Sequence, residues 1–129
     1  MVGIVIVSHS SKVADGIRDI AQQMAKNVNI IAAGGTNDGE IGTDALKIQD
    51  AILKANTGNG VLIMVDLGSA VLSAETAIEF LDEELRQNVC IADAPIVEGA
   101  IVAAVQASTG AMLKEVLKTA IGACTLRKI

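Results

Sequence analysis

The sequence predicts an α/β fold: a doubly wound, mainly parallel four-stranded sheet with helices on both faces. Three observations predict it. Apolar runs of strand length recur four times, at 3–8, 28–33, 60–65 and 88–92. They are too continuous for strands with one wet face, which alternate apolar and polar residues. Helical periodicity fills every gap, and alternating strand and helix calls for a parallel sheet covered on both sides. Right-handed crossovers send the helices to either face. Chemistry in such sheets collects outside the carboxyl ends of the strands, where strand order switches.

The elements follow in order. Gly3-Ile4-Val5-Ile6-Val7-Ser8 is the first strand, broken by His9-Ser10-Ser11. Val13, Ile17, Ile20, Ala21 and Met24 then mark one face of a helix, with Ser10 or Ser11 suited to cap it. The second strand, 28–33, runs into a loop holding four glycines in positions 34–42. Leu46, Ile48, Ile52 and Leu53 mark a second helix opening at Thr43. The third strand, 60–65, ends at Asp66, and a helix opening near Ser69 carries Val71, Leu72, Ile78, Leu81 and Leu85. After the strand at 88–92, Pro95 and Glu98 begin an Ala/Val-rich helix over 97–107. Ser108-Thr109-Gly110 interrupts it, and Met112, Val116, Leu117 and Ile121 form the last helix. Without an internal repeat or linker, residues 1–129 are expected to form one domain.

Composition narrows function. Hydrophobic residues make up 51% of the chain, yet no apolar run approaches the roughly 20 residues that span a bilayer. The short opening run lacks a basic leader, so it is expected to be a strand and the protein cytoplasmic. The formal charge is −5, the longest basic cluster is Arg127-Lys128, and Phe80 is the only aromatic. A nucleic-acid surface needs a cationic footprint and often stacking rings, so none is expected. The acidic balance also opposes anionic membranes. Cys90 and Cys124 with a single histidine match no zinc spacing. They read as a buried strand thiol and a free tail thiol, and neither a metal nor a cofactor is expected.

The informative residues should be those just after each strand: Ser8-His9-Ser10, Gly34-Gly35-Thr36, Asp66-Leu67-Gly68-Ser69 and Asp93-Ala94-Pro95. A lone histidine can simply bond a turn carbonyl. His9, however, stands before a helix start, where free amides carry a partial positive charge of roughly +0.5. A phosphoryl group on its ring would find donors there, from the Ser10 and Ser11 turn and from a second helix start at Gly68 and Ser69. Asp66 can be read as a helix cap or as the carboxylate that orients His9. If the first and third strands are neighbours, Asp66 sits beside that ring and fixes its tautomer. The loop of Gly34, Gly35, Thr36, Gly39, Gly42 and Thr43 reads as a flexible surface loop, or as a rim that recognises partners or helps cradle phosphate; it is neither a Walker loop nor a dinucleotide fingerprint.

Several segments in order are similar to a known family. They are Val5 to Ser11, Ile41-Gly42-Thr43-Asp44-Ala45, Asp66 to Ala77, and Ala94-Pro95-Ile96-Val97-Glu98-Gly99. They resemble the phosphotransferase subunit of phosphoenolpyruvate-dependent dihydroxyacetone kinase, and more broadly the IIA domains of mannose-type sugar phosphotransferase systems. The resemblance implies a mannose-IIA-like fold, usually homodimeric, with His9 phosphorylated and Asp66 its hydrogen-bonded partner. It implies a relay in which the phosphocarrier HPr, charged by enzyme I, phosphorylates His9. The group then passes to ADP in a nucleotide-binding subunit, and the ATP formed phosphorylates dihydroxyacetone in a third. Docking would use the surface around Gly35, Thr36, Gly42 and Thr43. Some members carry further phosphocarrier domains, which would here be separate proteins.

Four rivals are open. A receiver domain would carry an acyl phosphate on Asp66, but it needs an acidic pair where this chain has Ser8-His9. A flavin binder would want aromatic rings. A sugar-transport IIA component would share the His9 chemistry and differ only in acceptor. In a purely regulatory module His9 would be structural.

Overall fold

The computed structural model describes residues 1–129. In chain order the elements are β1 (Gly3–Ser8), α1 (Ser11–Met24), β2 (Ile30–Gly34), α2 (Ala45–Ala55), β3 (Val61–Val65), α3 (Gly68–Glu79), α4 (Glu83–Arg86), β4 (Val89–Ala92), α5 (Ile96–Ser108) and α6 (Leu113–Gly122), closed by a short 3-10 turn at Ala123–Thr125. The four strands form one sheet of order β2-β1-β3-β4, and every pairing is parallel. The expected α/β architecture is therefore present, and β1 and β3 are neighbours.

The alternation of side chains along β1 builds two cores. Ile4 and Ile6 point to one face, where α1, α5 and α6 supply Ala14, Ile17, Ala21, Ala100, Ala103, Ala104, Ala107 and Val116. Val5 and Val7 point to the other, where α2 and α3 supply Ile48, Ile52, Ala70, Ala74 and Ala77. With both faces covered, all six residues of β1 are buried. Each large aliphatic side chain removed from water contributes roughly 1.5–3 kcal/mol, so the central strands are the rigid floor of the molecule.

Several boundaries and faces differ from the sequence reading. β2 starts at Ile30 and ends at Gly34, which pairs with Ser8 and belongs to the strand instead of the loop. The buried stripe of α1 is Ala14, Ile17 and Ala21, whereas Val13, Ile20 and Met24 are exposed. Leu46, Leu53 and Leu72 are exposed as well; Ile48 and Ile52 share the core face of α2 with Ala51 and Ala55, and alanines alone take the core positions of α3. Small residues let these helices lie close on the sheet, and the leucines are turned outward. The cap of α2 is Asp44, whose Oδ1 accepts from the Leu46 and Lys47 amides, and not Thr43. The third helical run is split: α3 stops at Glu79, and Asp82 caps the separate α4.

One close approach sets the site. A Cβ on Gly34 would lie 2.5 Å from the Ser10 carbonyl oxygen and 2.7 Å from the Ala14 Cβ. Only glycine lets the first turn of α1 sit directly against the end of β2. That contact fixes the chain on both sides of Ser10, immediately after His9.

Candidate functional site

β1 and β3 run in register up to Val7 and Val65, so the next residues of the two chains emerge together at the carboxyl edge of the sheet. Asp66 there accepts four hydrogen bonds. Its Oδ2 takes the Ser8 hydroxyl at 2.9 Å and the His9 backbone N–H at 3.0 Å. Its Oδ1 lies 3.0 Å from His9 Nδ1 and takes the Leu67 backbone N–H at 2.7 Å. Four donors match the roughly four lone-pair sites of an ionised carboxylate. Burial alone would raise the Asp66 pKa; the His9 amide, the His9 ring, Ser8 and the Leu67 amide together outweigh it and hold the group below the usual carboxylate value of 3.8.

An ionised Asp66 can only accept. His9 Nδ1 must therefore carry the proton, and Nε2 holds the ring's lone pair. Nε2 is in hydrogen-bond contact with the Ser69 hydroxyl, which donates to it in this tautomer. The His9 side chain retains 21% of its accessibility. The ring is thus anchored on one nitrogen and reachable at the other.

Ser69 does not cap its helix. The α3 N-cap is Leu67, and no side chain caps the helix. Asp66 is no cap either, since its only bond to that turn goes to the adjacent Leu67 amide. The Gly68 and Ser69 amides have no hydrogen-bond acceptor, so donors at the start of α3 stand free beside His9. At α1, Ser10 is the cap, its hydroxyl accepting from Val13 N–H at 3.3 Å. Ser11 opens that helix, and both serines line a hollow of about 390 Å³ with Lys12, Gly39, Glu40 and Ile41. On the opposite side, a groove of about 530 Å³ runs from Asp66 and Gly68 to Asp93 and Ala94.

The glycine-rich loop is hydrogen-bonded to the His9 segment. Gly35 N–H donates to the Ser8 carbonyl at 3.0 Å, and Gly42 N–H to the His9 carbonyl at 2.9 Å. Gly35 and Gly42 have φ of 71° and 146°, a region other residues rarely adopt. Thr36 N–H bonds the Glu40 carbonyl across the loop. Thr43 meets the Ser73 hydroxyl at 2.6 Å, and Lys47 Nζ donates to the Gly34 carbonyl at 2.8 Å. The structure thus brings Gly35, Gly42 and Thr43 to the site's supporting wall. Ser73, Lys47 and the bonding of Ser8 were not read from the sequence. Ser8 had a visible signal, being the one polar residue ending an apolar strand.

Away from the site, Cys90 is half-buried and burial pushes its thiol up to about 11, while Cys124 is exposed. No helix is long and apolar enough to cross a membrane.

This edge-of-sheet histidine can be set against known proteins. A model of the family described as PTS system fructose IIA component matches residues 3–117. The chain belongs to this family. Among IIA-family relatives, the phosphoryl donor subunit DhaM of PEP-dependent dihydroxyacetone kinase 2 from Listeria innocua is 50% identical over 107 residues, covering 82% of this chain and 86% of the relative. The phosphotransferase subunit DhaM of Lactococcus lactis is 37% identical and covers 88% of this chain and 89% of its own. The DhaM subunit of Escherichia coli is 42% identical over 99% of this chain, which spans only 28% of that longer relative. A solved structure described as the unknown function protein EF1359 superposes with a TM-score of 0.84 at 40% identity, covering 92% of both chains. The two chains share one fold.

Proposed function

We propose that this chain is a phosphocarrier: His9 accepts a phosphoryl group from phospho-HPr and passes it to ADP held in the nucleotide-binding subunit of a dihydroxyacetone kinase. The observation that carries the reading is the His9 ring, bonded through Nδ1 to an ionised Asp66 and open at Nε2. The names of the relatives, donor subunits of dihydroxyacetone kinases, support a kinase as the destination of the group.

The chemistry follows from that ring. The Nε2 lone pair attacks the phosphorus of the donor's phosphoimidazole; the donor's P–N bond breaks and its electron pair returns to the donor ring. His9 becomes positively charged as the new P–N bond forms, and Asp66, 3.0 Å from Nδ1, stabilises that charge without taking the proton. Ser69 must turn its hydroxyl from Nε2 as the donor arrives, and can then donate to a phosphoryl oxygen. The Gly68 and Ser69 amides at the start of α3 offer two more donors. At α1 the free donor is the Ser11 amide in the first turn, which serves the same purpose; the Ser10 amide is taken by Ser8 Oγ, and the Ser10 hydroxyl accepts the capping bond from Val13. In the second step an oxygen of the ADP β-phosphate attacks the same phosphorus. The bond to Nε2 breaks, its pair stays on the ring, and ATP leaves.

Such transfer demands positioning and charge neutralisation more than covalent machinery. The single domain supplies one nucleophile with its supports, and partners supply the rest. Thr36, Gly42 and Thr43 form the docking rim, with Gly35 buried behind it as its support and Ile41, Leu67 and Leu72 exposed. The protein would work in the cytoplasm as a homodimer, with the dihydroxyacetone-binding subunit reached indirectly.

A second reading shares His9 but delivers the group to a sugar-transport IIB protein, and the description of the matching family favours it. Reconstitution decides between them. With enzyme I, HPr, phosphoenolpyruvate and the two kinase subunits, this chain should support formation of dihydroxyacetone phosphate, and His9→Ala should not. Transfer to a IIB protein, with none to the ADP-loaded subunit, would select the second reading.

A further inference from the structure

We propose that Ser8 is a positioning residue of the phosphoryl-transfer site: its hydroxyl locks the rotation of the Asp66 carboxylate and thereby holds His9 in the Nδ1-protonated tautomer. This rests on the phosphocarrier reading for its purpose, though not for its geometry.

Ser8 is the one polar residue among the 39 buried residues, at 1% exposure. Its placement has no explanation in packing, since a strand that continued with valine or alanine would fill the same space without a polar atom. Its hydroxyl is satisfied on both sides. The Ser10 backbone N–H donates to Oγ at 3.1 Å, and the hydroxyl proton points to Asp66 Oδ2 at 2.9 Å. The direction of the second bond is forced, because an ionised carboxylate accepts only. A line of donors thus runs from the Ser10 amide through the Ser8 hydroxyl to Asp66 and ends on the His9 ring. Bonds in such chains polarise one another.

The geometry assigns each link a task. Oδ2 is held by Ser8 and the His9 amide, leaving Oδ1 in line with Nδ1. Without the hydroxyl, Oδ2 keeps only the His9 amide and Oδ1 the Leu67 amide, which loosens the carboxylate about its χ2 torsion, an intrinsically soft one. Nδ1 then loses its fixed acceptor, and the ring can take up the other tautomer. In that form Nε2 is protonated and cannot attack phosphorus.

His9 is the only histidine, so its ring gives one unambiguous set of signals in two-bond proton–nitrogen correlation spectra. The wild type should show the Nδ1-protonated pattern. Ser8→Ala should shift the ring nitrogens toward a mixed-tautomer pattern and slow single-turnover phosphorylation by phospho-HPr about tenfold, the scale of losing an outer partner that orients a reacting group. Ser8→Thr, which keeps the hydroxyl, should restore both. Where Ser8→Ala fails to fold, Ser8→Cys replaces it; its thiol fills nearly the same space but donates weakly, and the same ring shift is expected. A folded Ala or Cys variant with wild-type ring signals overturns the proposal. Should the wild type take no phosphate while the ring signals still respond to residue 8, the functional reading fails and the role of Ser8 stands.

Discussion

Gly34→Ala tests how tightly the site depends on the packing beneath it. The added Cβ would stand 2.5 Å from the Ser10 carbonyl oxygen, 2.7 Å from the Ala14 Cβ and 2.8 Å from the Ser11 Cα. Ordinary contact begins at 3.4 Å, so the start of α1 must retreat by 0.9 Å (3.4 − 2.5). Backbone cannot rotate aside as a flexible side chain can, which places the cost at the upper part of the range of about 1–3 kcal/mol for overpacking. For a chain of this size that lowers Tm by roughly 8–12 °C. Ser10 follows His9 directly, so the same retreat pulls the ring along its bond to Asp66. A misplacement near 1 Å can cost about 100-fold in rate. Differential scanning calorimetry and rapid-quench labelling from phospho-HPr measure the two effects. Gly16→Ala is the control: it lies exposed in α1 with nothing within 4 Å of its Cβ. It should stabilise by about 0.5–1 kcal/mol and leave the rate unchanged. A Gly34→Ala protein with native Tm and native labelling rate would refute the claim that this contact positions His9.

Asp66→Asn should keep the fold and slow labelling of His9 by about 10- to 100-fold, since an amide supports the ring cation less well than a carboxylate; full activity in that variant would reduce Asp66 to a structural role. Acid should act through the same group. Its folded pKa lies below the value of 3.8 taken for an unperturbed aspartate, so its stabilisation is present above about pH 4 and is lost as pH falls through the folded value. Urea denaturation between about pH 5 and 2.5 should therefore show a step that Asp66→Asn lacks, and parallel curves would contradict it. Thr43→Val, which breaks the bond to Ser73 while keeping the side chain's shape, should weaken transfer to the acceptor subunit more than labelling by HPr. Equal effects on both would assign Thr43 to general support of the site.

The sheet was legible because its strands are continuous apolar runs, a pattern only a doubly covered parallel sheet accommodates. The helix faces were less so. Val13, Ile20, Leu46, Leu53 and Leu72 have helical spacing and size, yet they point outward, and Ala14, Ala21, Ala51, Ala70 and Ala74 carry the packing. Periodicity of large residues locates a helix without saying which apolar flank meets the sheet. His9 and Asp66 could be paired from sequence since strand order alone brings them together. The finer network could not. Ser69 meets His9 instead of capping α3 because the helix already begins at Gly68, and the link from Ser8 to Asp66 depends on a carboxylate torsion; neither leaves a trace in spacing. Similarly, the glycines at 35 and 42 announced unusual backbone angles, but their bonds to the Ser8 and His9 carbonyls emerge only from the folded loop.

The position of the phosphate on the charged protein tests the account most directly. Wild-type chain labelled on nitrogen-15 and phosphorylated by enzyme I and HPr should carry the group on Nε2 of His9, with Nδ1 still protonated and the linkage labile to acid. Phosphate found on Nδ1, or as a hydroxylamine-sensitive acyl phosphate on Asp66, would contradict it.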